Sequence, residues 1–163
     1  MEKTRPTPAQ LPDDRVLREN ERSFEVPTTA PKPKLSQAEI DRFAQEDLPF
    51  SVAVIDMDWH LVDIDPVIGN GWTGYTWDRK LFPDPKAFLD GLHKRGMLTS
   101  LNLHPAAGIR RHEEAYGPMM RALGRDPRSG EEIPFNIGDK EFTAAYLEHA
   151  HHPLEAEGVD FWW

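Results

Sequence analysis

Phe50-Ser51-Val52-Ala53-Val54-Ile55-Asp56-Met57-Asp58-Trp59-His60 is the stretch whose reading decides the fold. Its first half is nearly all apolar and rich in β-branched residues, the composition of a strand covered on both faces, as in a parallel sheet. Its second half turns abruptly to acids and aromatics, so chemistry begins where the strand ends. Upstream, Ile40, Phe43 and Ala44 stand at i, i+3 and i+4, the stripe of an amphipathic helix. Ser36-Gln37-Ala38-Glu39 has capping-box spacing for its start, and Pro49 stops it.

Downstream the same grammar repeats. Asp84 caps and Pro85 suits the first position of a helix whose stripe is Phe88, Leu89 and Leu92, with Gly96 as its stop. Met97 to Leu103 is a second strand. A helix from Glu113 to Leu123 ends at Gly124, and a longer one runs from Asp139 to about Glu157, bent or interrupted by Pro153. Val159 to Trp163 is a third strand. Strands alternating with helices predict an α/β fold with a parallel sheet, and its chemistry at the strand C-termini. Residues 1–34 carry six prolines among polar residues and show no sustained apolar period, so a disordered tail is expected before a domain spanning 35–163.

Composition narrows the function. The formal net charge is −9, which argues against nucleic acid or an anionic membrane as partner. No cysteine is present, so thiolate metal sites and cysteine nucleophiles are excluded. No signal-type or membrane-spanning apolar run is seen, which makes a cytoplasmic location the default expectation. With 163 residues the chain is shorter than the roughly 250 of a complete (β/α)8 barrel.

Four clusters carry candidate chemistry. Asp56 and Asp58 stand two apart, on one side of an extended chain. They suit bidentate contacts to sugar hydroxyls beside Trp59. They also suit a metal, with His60, Asp63, Asp65 or His104 added. A third reading is a haloacid dehalogenase-like, Mg-dependent phosphatase with Asp56 as nucleophile and Asp58 as acid, although Trp59 and His60 obstruct the turn such enzymes need. Gly69 to Asp78 mixes three glycines with Trp72, Tyr75 and Trp77, either a sugar platform or an Ω-loop packing its own aromatics. Asn102-Leu103-His104-Pro105 ends the second strand. His149, His151 and His152 lack HExxH spacing and read as surface residues. Finally, Val159-Asp160-Phe161-Trp162-Trp163 leaves a buried-type strand at the very end, which points to a truncated chain.

Together the strings Pro49 to His60, Gly71 to Trp77, Leu81-Phe82-Pro83-Asp84-Pro85, Asn102 to Pro105 and Gly158 to Trp163 resemble glycoside hydrolase family 31 in order and spacing. The resemblance implies a partial (β/α)8 (TIM) barrel, about strands 2–4 with their helices. It implies an α-glucosidase- or α-xylosidase-like retaining mechanism in which one aspartate attacks and a second acts as acid and base. Asp56 matches the aspartate that bonds sugar hydroxyls. Trp163 matches a tryptophan two residues before the nucleophile, and nothing follows Trp163 in this sequence. Hence the expected substrate-binding set is Asp56, Asp58, Trp77, His104 and Trp163, with no catalytic residue, no metal and no cofactor. The partner is an oligosaccharide or glycoside, and the rest of the barrel or another chain is needed to complete the site. A non-catalytic carbohydrate-binding remnant is the alternative within the same resemblance.

Overall fold

The computed structural model describes residues 37–163; the proline-rich tail expected over 1–34 and the Ser36 cap lie outside them. Helix α1 spans Gln37–Gln45. It ends on Asp47, whose φ of 55° is the left-handed conformation of a helix stop. The Leu48 amide reaches back to the Phe43 carbonyl (3.0 Å) and the Asp47 amide to Ala44 (3.2 Å). These two bonds satisfy carbonyls that the helix end leaves open. Strand β1, Val52–Ile55, follows.

Helix α2, Pro85–His93, forms as its sequence dictates. Asp84 accepts from the Ala87 amide, Pro85 occupies the first turn, and Leu89 and Leu92 are fully buried. Each such leucine contributes about 1.5–3 kcal/mol through burial. Gly96 closes the helix at φ 74°, and β2, Leu98–Leu101, begins two residues later. Helix α3, Tyr116–Ala122, is shorter than the expected Glu113–Leu123, because Glu113 is diverted into a buried polar contact before the helix starts. Helix α4, Lys140–Tyr146, is capped by Asp139. A π-helical turn, Leu147–His151, then separates it from α5, His152–Glu157. Pro153 has no N–H to give and crowds the preceding turn, so the interruption expected there takes this widened form. Strand β3, Phe161–Trp162, completes the described elements.

The three strands form one open parallel sheet in the order β1-β2-β3. Val52 pairs with Leu98 and Ile55 with Leu101, while Leu101 also pairs with Trp162. One sheet face, with Ala53, Ile55 and Leu101, packs with Leu89, Leu92 and Leu154. A second core gathers Ile109, Met119, Met120, Phe142 and Tyr146 beneath the loops. β1 is not covered on both faces, as its apolar run predicted. Val52 and Val54 remain exposed, because the described helices cover only the opposite face.

The long loop after β1 closes on itself. His60 and Trp77 form an antiparallel bridge, and Leu61 and Asp78 bond across it to Thr76 and Trp59. Gly71 (φ 73°) has no room for a side chain, since a Cβ there would meet the Val62 carbonyl. Gly74 lies so close to the buried His60 ring that a Cβ would sit 2.2 Å from Nδ1.

Candidate functional site

Strand alternation assigns the site. Ala53 and Ile55 point into the helix-covered core, so Val52, Val54 and then Asp56 point the other way. Asp56 keeps extended backbone (φ −76°, ψ 178°), which carries the alternation one residue past β1. The ladder also continues one step. The Asn102 amide donates to the Ile55 carbonyl (3.0 Å), the Trp163 amide to Leu101 (3.0 Å), and the Leu103 amide to Trp163 (2.8 Å). Asp56, Asn102 and Trp163 therefore form a row across the C-terminal ends of three neighbouring parallel strands, on one face. Asp56 is exposed, and Trp163 is 69% exposed.

The turn after Asp56 is locally determined. The Asp56 carboxylate accepts from the Met57 amide (2.7 Å) and starts the 3-10 turn Met57–Trp59, on which Asp58 sits half-buried. Trp59 is fully buried beneath it, and its Nε1 donates to the Asn102 carbonyl (2.8 Å). This bond ties the end of β1 to the end of β2. His104 begins the short 3-10 turn Pro105–Ala107 after β2. Its carbonyl accepts from the Thr73 hydroxyl, and its ring lies 4.8 Å from the exposed Trp72 ring. His104 Nδ1 is buried without a hydrogen-bond partner among the described residues.

Trp77 is placed apart from this row. It is 2% exposed, packs on Trp59 at 5.0 Å, and donates to Glu157 (2.8 Å), so its ring supports the site from below. Asn102 and Trp72 are not among the binding residues expected from sequence. The signal for Asn102 was its register, one step past Leu101. Trp72 could be told from Tyr75 and Trp77 only once the loop was folded. His151 does not sit on the surface, as its sequence suggested. It is buried against Trp162 (4.3 Å) and Tyr146 (4.6 Å), because the π turn rotates it inward.

Behind the row lies a buried polar support. Glu113 accepts from the Tyr75 amide (3.1 Å) and the Thr76 hydroxyl (2.6 Å), and the Glu114 amide donates back to Thr76 (2.9 Å). His112 Nε2 is 3.0 Å from Glu113 but is not aligned as a hydrogen bond. Among the described residues, no group of three or more His, Asp or Glu is placed to hold a metal ion, and no helix is long and apolar enough to cross a membrane.

Burial lowers the His60 pKa from its ordinary 6.5; the Leu61 carbonyl, Glu113 and Asp58 only partly oppose it, and His104 reinforces it. Burial lowers His151 as well, and Glu155 only partly offsets this. For Asp160, burial alone would raise the pKa. The Thr99 amide and His93, together with the Thr99 hydroxyl, outweigh it and hold the carboxyl below its ordinary 3.8. Both histidines take up protons more readily when unfolded, so stability is lost as pH falls below about 6.5. Asp160 adds stability above about 3.8 that vanishes as pH falls through its lower folded value. Urea unfolding from pH 8 to 3 is expected to show both declines, and a flat profile between pH 7 and 5 would contradict the buried neutral histidines.

The family model for the glycosyl hydrolases family 31 TIM-barrel domain matches residues 33–163. The chain belongs to glycoside hydrolase family 31. Among solved structures, the family 31 α-xylosidase from a soil metagenome, crystallised with xylose, shares the fold with a TM-score of 0.53 at 21% identity. The match covers 76% of this chain and 18% of the xylosidase. Comparison with curated proteins returned no match. The three parallel strands and their helices are thus part of a family 31 barrel, and the row at their C-termini lies at the end where such barrels place their sites.

Proposed function

We propose that this chain supplies the sugar-binding side of a retaining α-glycosidase acting on neutral α-linked glycosides. The reading is carried by the row of Asp56, Asn102 and Trp163 at the C-terminal ends of β1, β2 and β3. Asp56 accepts hydrogen bonds from neighbouring hydroxyls of one sugar, and Asp58 and His104 flank it. Trp163 offers a flat apolar face to the pyranose ring, and Trp77 holds the Asp56 turn from beneath. A net charge of −9 favours a neutral substrate over an anionic one.

Retaining hydrolysis needs a nucleophilic carboxylate and an acid/base partner. The reading gives neither role to a residue of this chain, so it expects binding without turnover. The exposed face bearing Val52, Val54, Leu98 and Phe161 is where the remaining barrel strands, in this chain's protein or another chain, would pack.

The test is a titration of the chain with xylose and with glucose, followed by the fluorescence of exposed Trp163 and Trp72. A dissociation constant of about 1–10 mM is expected, weakened about tenfold or more in Asp56→Ala. Incubation with 4-nitrophenyl α-D-xyloside is expected to release no nitrophenol. Unchanged binding in Asp56→Ala would contradict the site, and nitrophenol release lost in that variant would contradict binding without turnover.

A further inference from the structure

An open cleft of about 450 Å³ lies between the loop after β1 and the turn after β2, lined in part by Ile64, Pro66, Asn70, Ala107 and Arg110. A smaller cavity of about 90 Å³ shares Arg110 and adds Val67 and Glu132. The larger volume falls within the roughly 300–1,000 Å³ of small-molecule sites.

The walls are built before any ligand arrives. Asp65 pins its loop, accepting from the Val67 amide through its side chain (2.9 Å) and from the Ile68 amide through its carbonyl (2.8 Å). Ile109 and Ile133 exchange backbone bonds behind the opposite wall. Arg110 donates from Nε to the Ala107 carbonyl (2.9 Å), and its guanidinium pairs with Glu132. This fixes the plane of the guanidinium and neutralises its charge, while N–H donors beyond these two contacts remain. Asn70 holds the Trp72 amide with its side-chain oxygen (3.1 Å).

The cleft is joined to the site. The Ala107 amide donates to the Thr73 hydroxyl (3.2 Å), which itself donates to the His104 carbonyl. Its Asn70 wall is two residues from Trp72, which packs on His104. A donor set of amide and paired guanidinium over an Ile64-Pro66-Ala107 floor recognises an uncharged polyhydroxylated group: the ion pair removes the attraction for an anion, and the apolar floor takes the carbon face of a ring. We infer that this cleft receives the leaving-group side of the substrate, so that the preferred substrates are oligosaccharides rather than single sugars on small aglycones. The inference rests on the sugar site proposed above and extends it.

The experiment compares xylose and glucose with an α-linked disaccharide of each, titrated against the full chain by tryptophan fluorescence and by NMR line broadening. A disaccharide is expected to bind about tenfold more tightly than its monosaccharide. Arg110→Ala is expected to erase that gain and leave monosaccharide binding unchanged. Pro66→Trp, which fills the cleft at an exposed loop position, is expected to do the same, and it serves if Arg110→Ala fails to fold. Equal affinities for the mono- and disaccharide, or a gain that survives both variants, would overturn the cleft assignment while leaving the Asp56 site intact. Monosaccharide binding indifferent to Asp56→Ala would instead sink the underlying site. A disaccharide gain erased by Arg110→Ala in that circumstance would make the cleft an independent sugar site, contrary to the inference.

Discussion

Trp59→Ala is expected to destabilise the protein by about 3–5 kcal/mol, more than any other single substitution around the Asp56 turn. Trp59 is 0% exposed and sits under the turn that carries Asp56 and Asp58. Its ring packs edge-on against Trp77 at 5.0 Å and against His60 at 5.4 Å. Alanine would leave a cavity that the parallel sheet above cannot collapse into, and an Asn102 carbonyl without its indole donor. Trp59→Phe separates the two contributions, since it keeps most of the packing and loses the hydrogen bond; about 1–2 kcal/mol is expected for it. Urea unfolding monitored by far-UV circular dichroism measures both. A loss under about 1 kcal/mol for the alanine variant would contradict the packing described. Sugar affinity is expected to fall in parallel, because the Asp56 turn would lose its base.

Glu113→Ala is expected to cost about 2–4 kcal/mol. The carboxylate is buried and receives the Tyr75 amide and the Thr76 hydroxyl, both of them buried. Removing it strands a backbone donor in the interior of the aromatic loop, where water does not reach it. Glu113→Gln keeps one acceptor oxygen and is expected to cost about half as much. Equal losses in the two variants would show that charge, not acceptor geometry, matters there. Trp72 lies three residues from Tyr75 on the same loop, so a weaker Trp72–His104 contact is expected with either change.

How far these features could be read in advance depends on whether their causes are local. Helix α2 was legible from Asp84 to Gly96 because cap, stripe and stop all lie within its own residues. The strands were legible in position, and the parallel order followed from their alternation with helices. The bare face of β1 was not, since coverage of Val52 and Val54 depends on what packs there and not on their own chemistry. Glu113 looked like a helix start because acids favour first turns, yet its carboxylate serves the loop 38 residues upstream. His151 was misplaced because a π turn inserts a residue into the helical count and shifts the face that follows. In the site, Asp56 and Trp163 could be found from strand ends alone. The aromatics of Gly71–Trp77 could not be sorted into exposed Trp72 and buried Tyr75 and Trp77 without the His60–Trp77 bridge that closes the loop.

The absence of cysteine makes one geometric test clean. Asp56 and Trp163 stand on strands separated by one intervening strand, so their side chains should be about 10 Å apart on one face. Asp56→Cys with Trp163→Cys, treated with a bismaleimide spanning about 10 Å, is predicted to give an intramolecular cross-link in high yield. Asp56→Cys with Trp162→Cys, which places the second thiol on the opposite face, is predicted to give little. Equal yields for the two pairs, or a cross-link confined to the second, would contradict the placement of Asp56 and Trp163 on a common sugar-binding face.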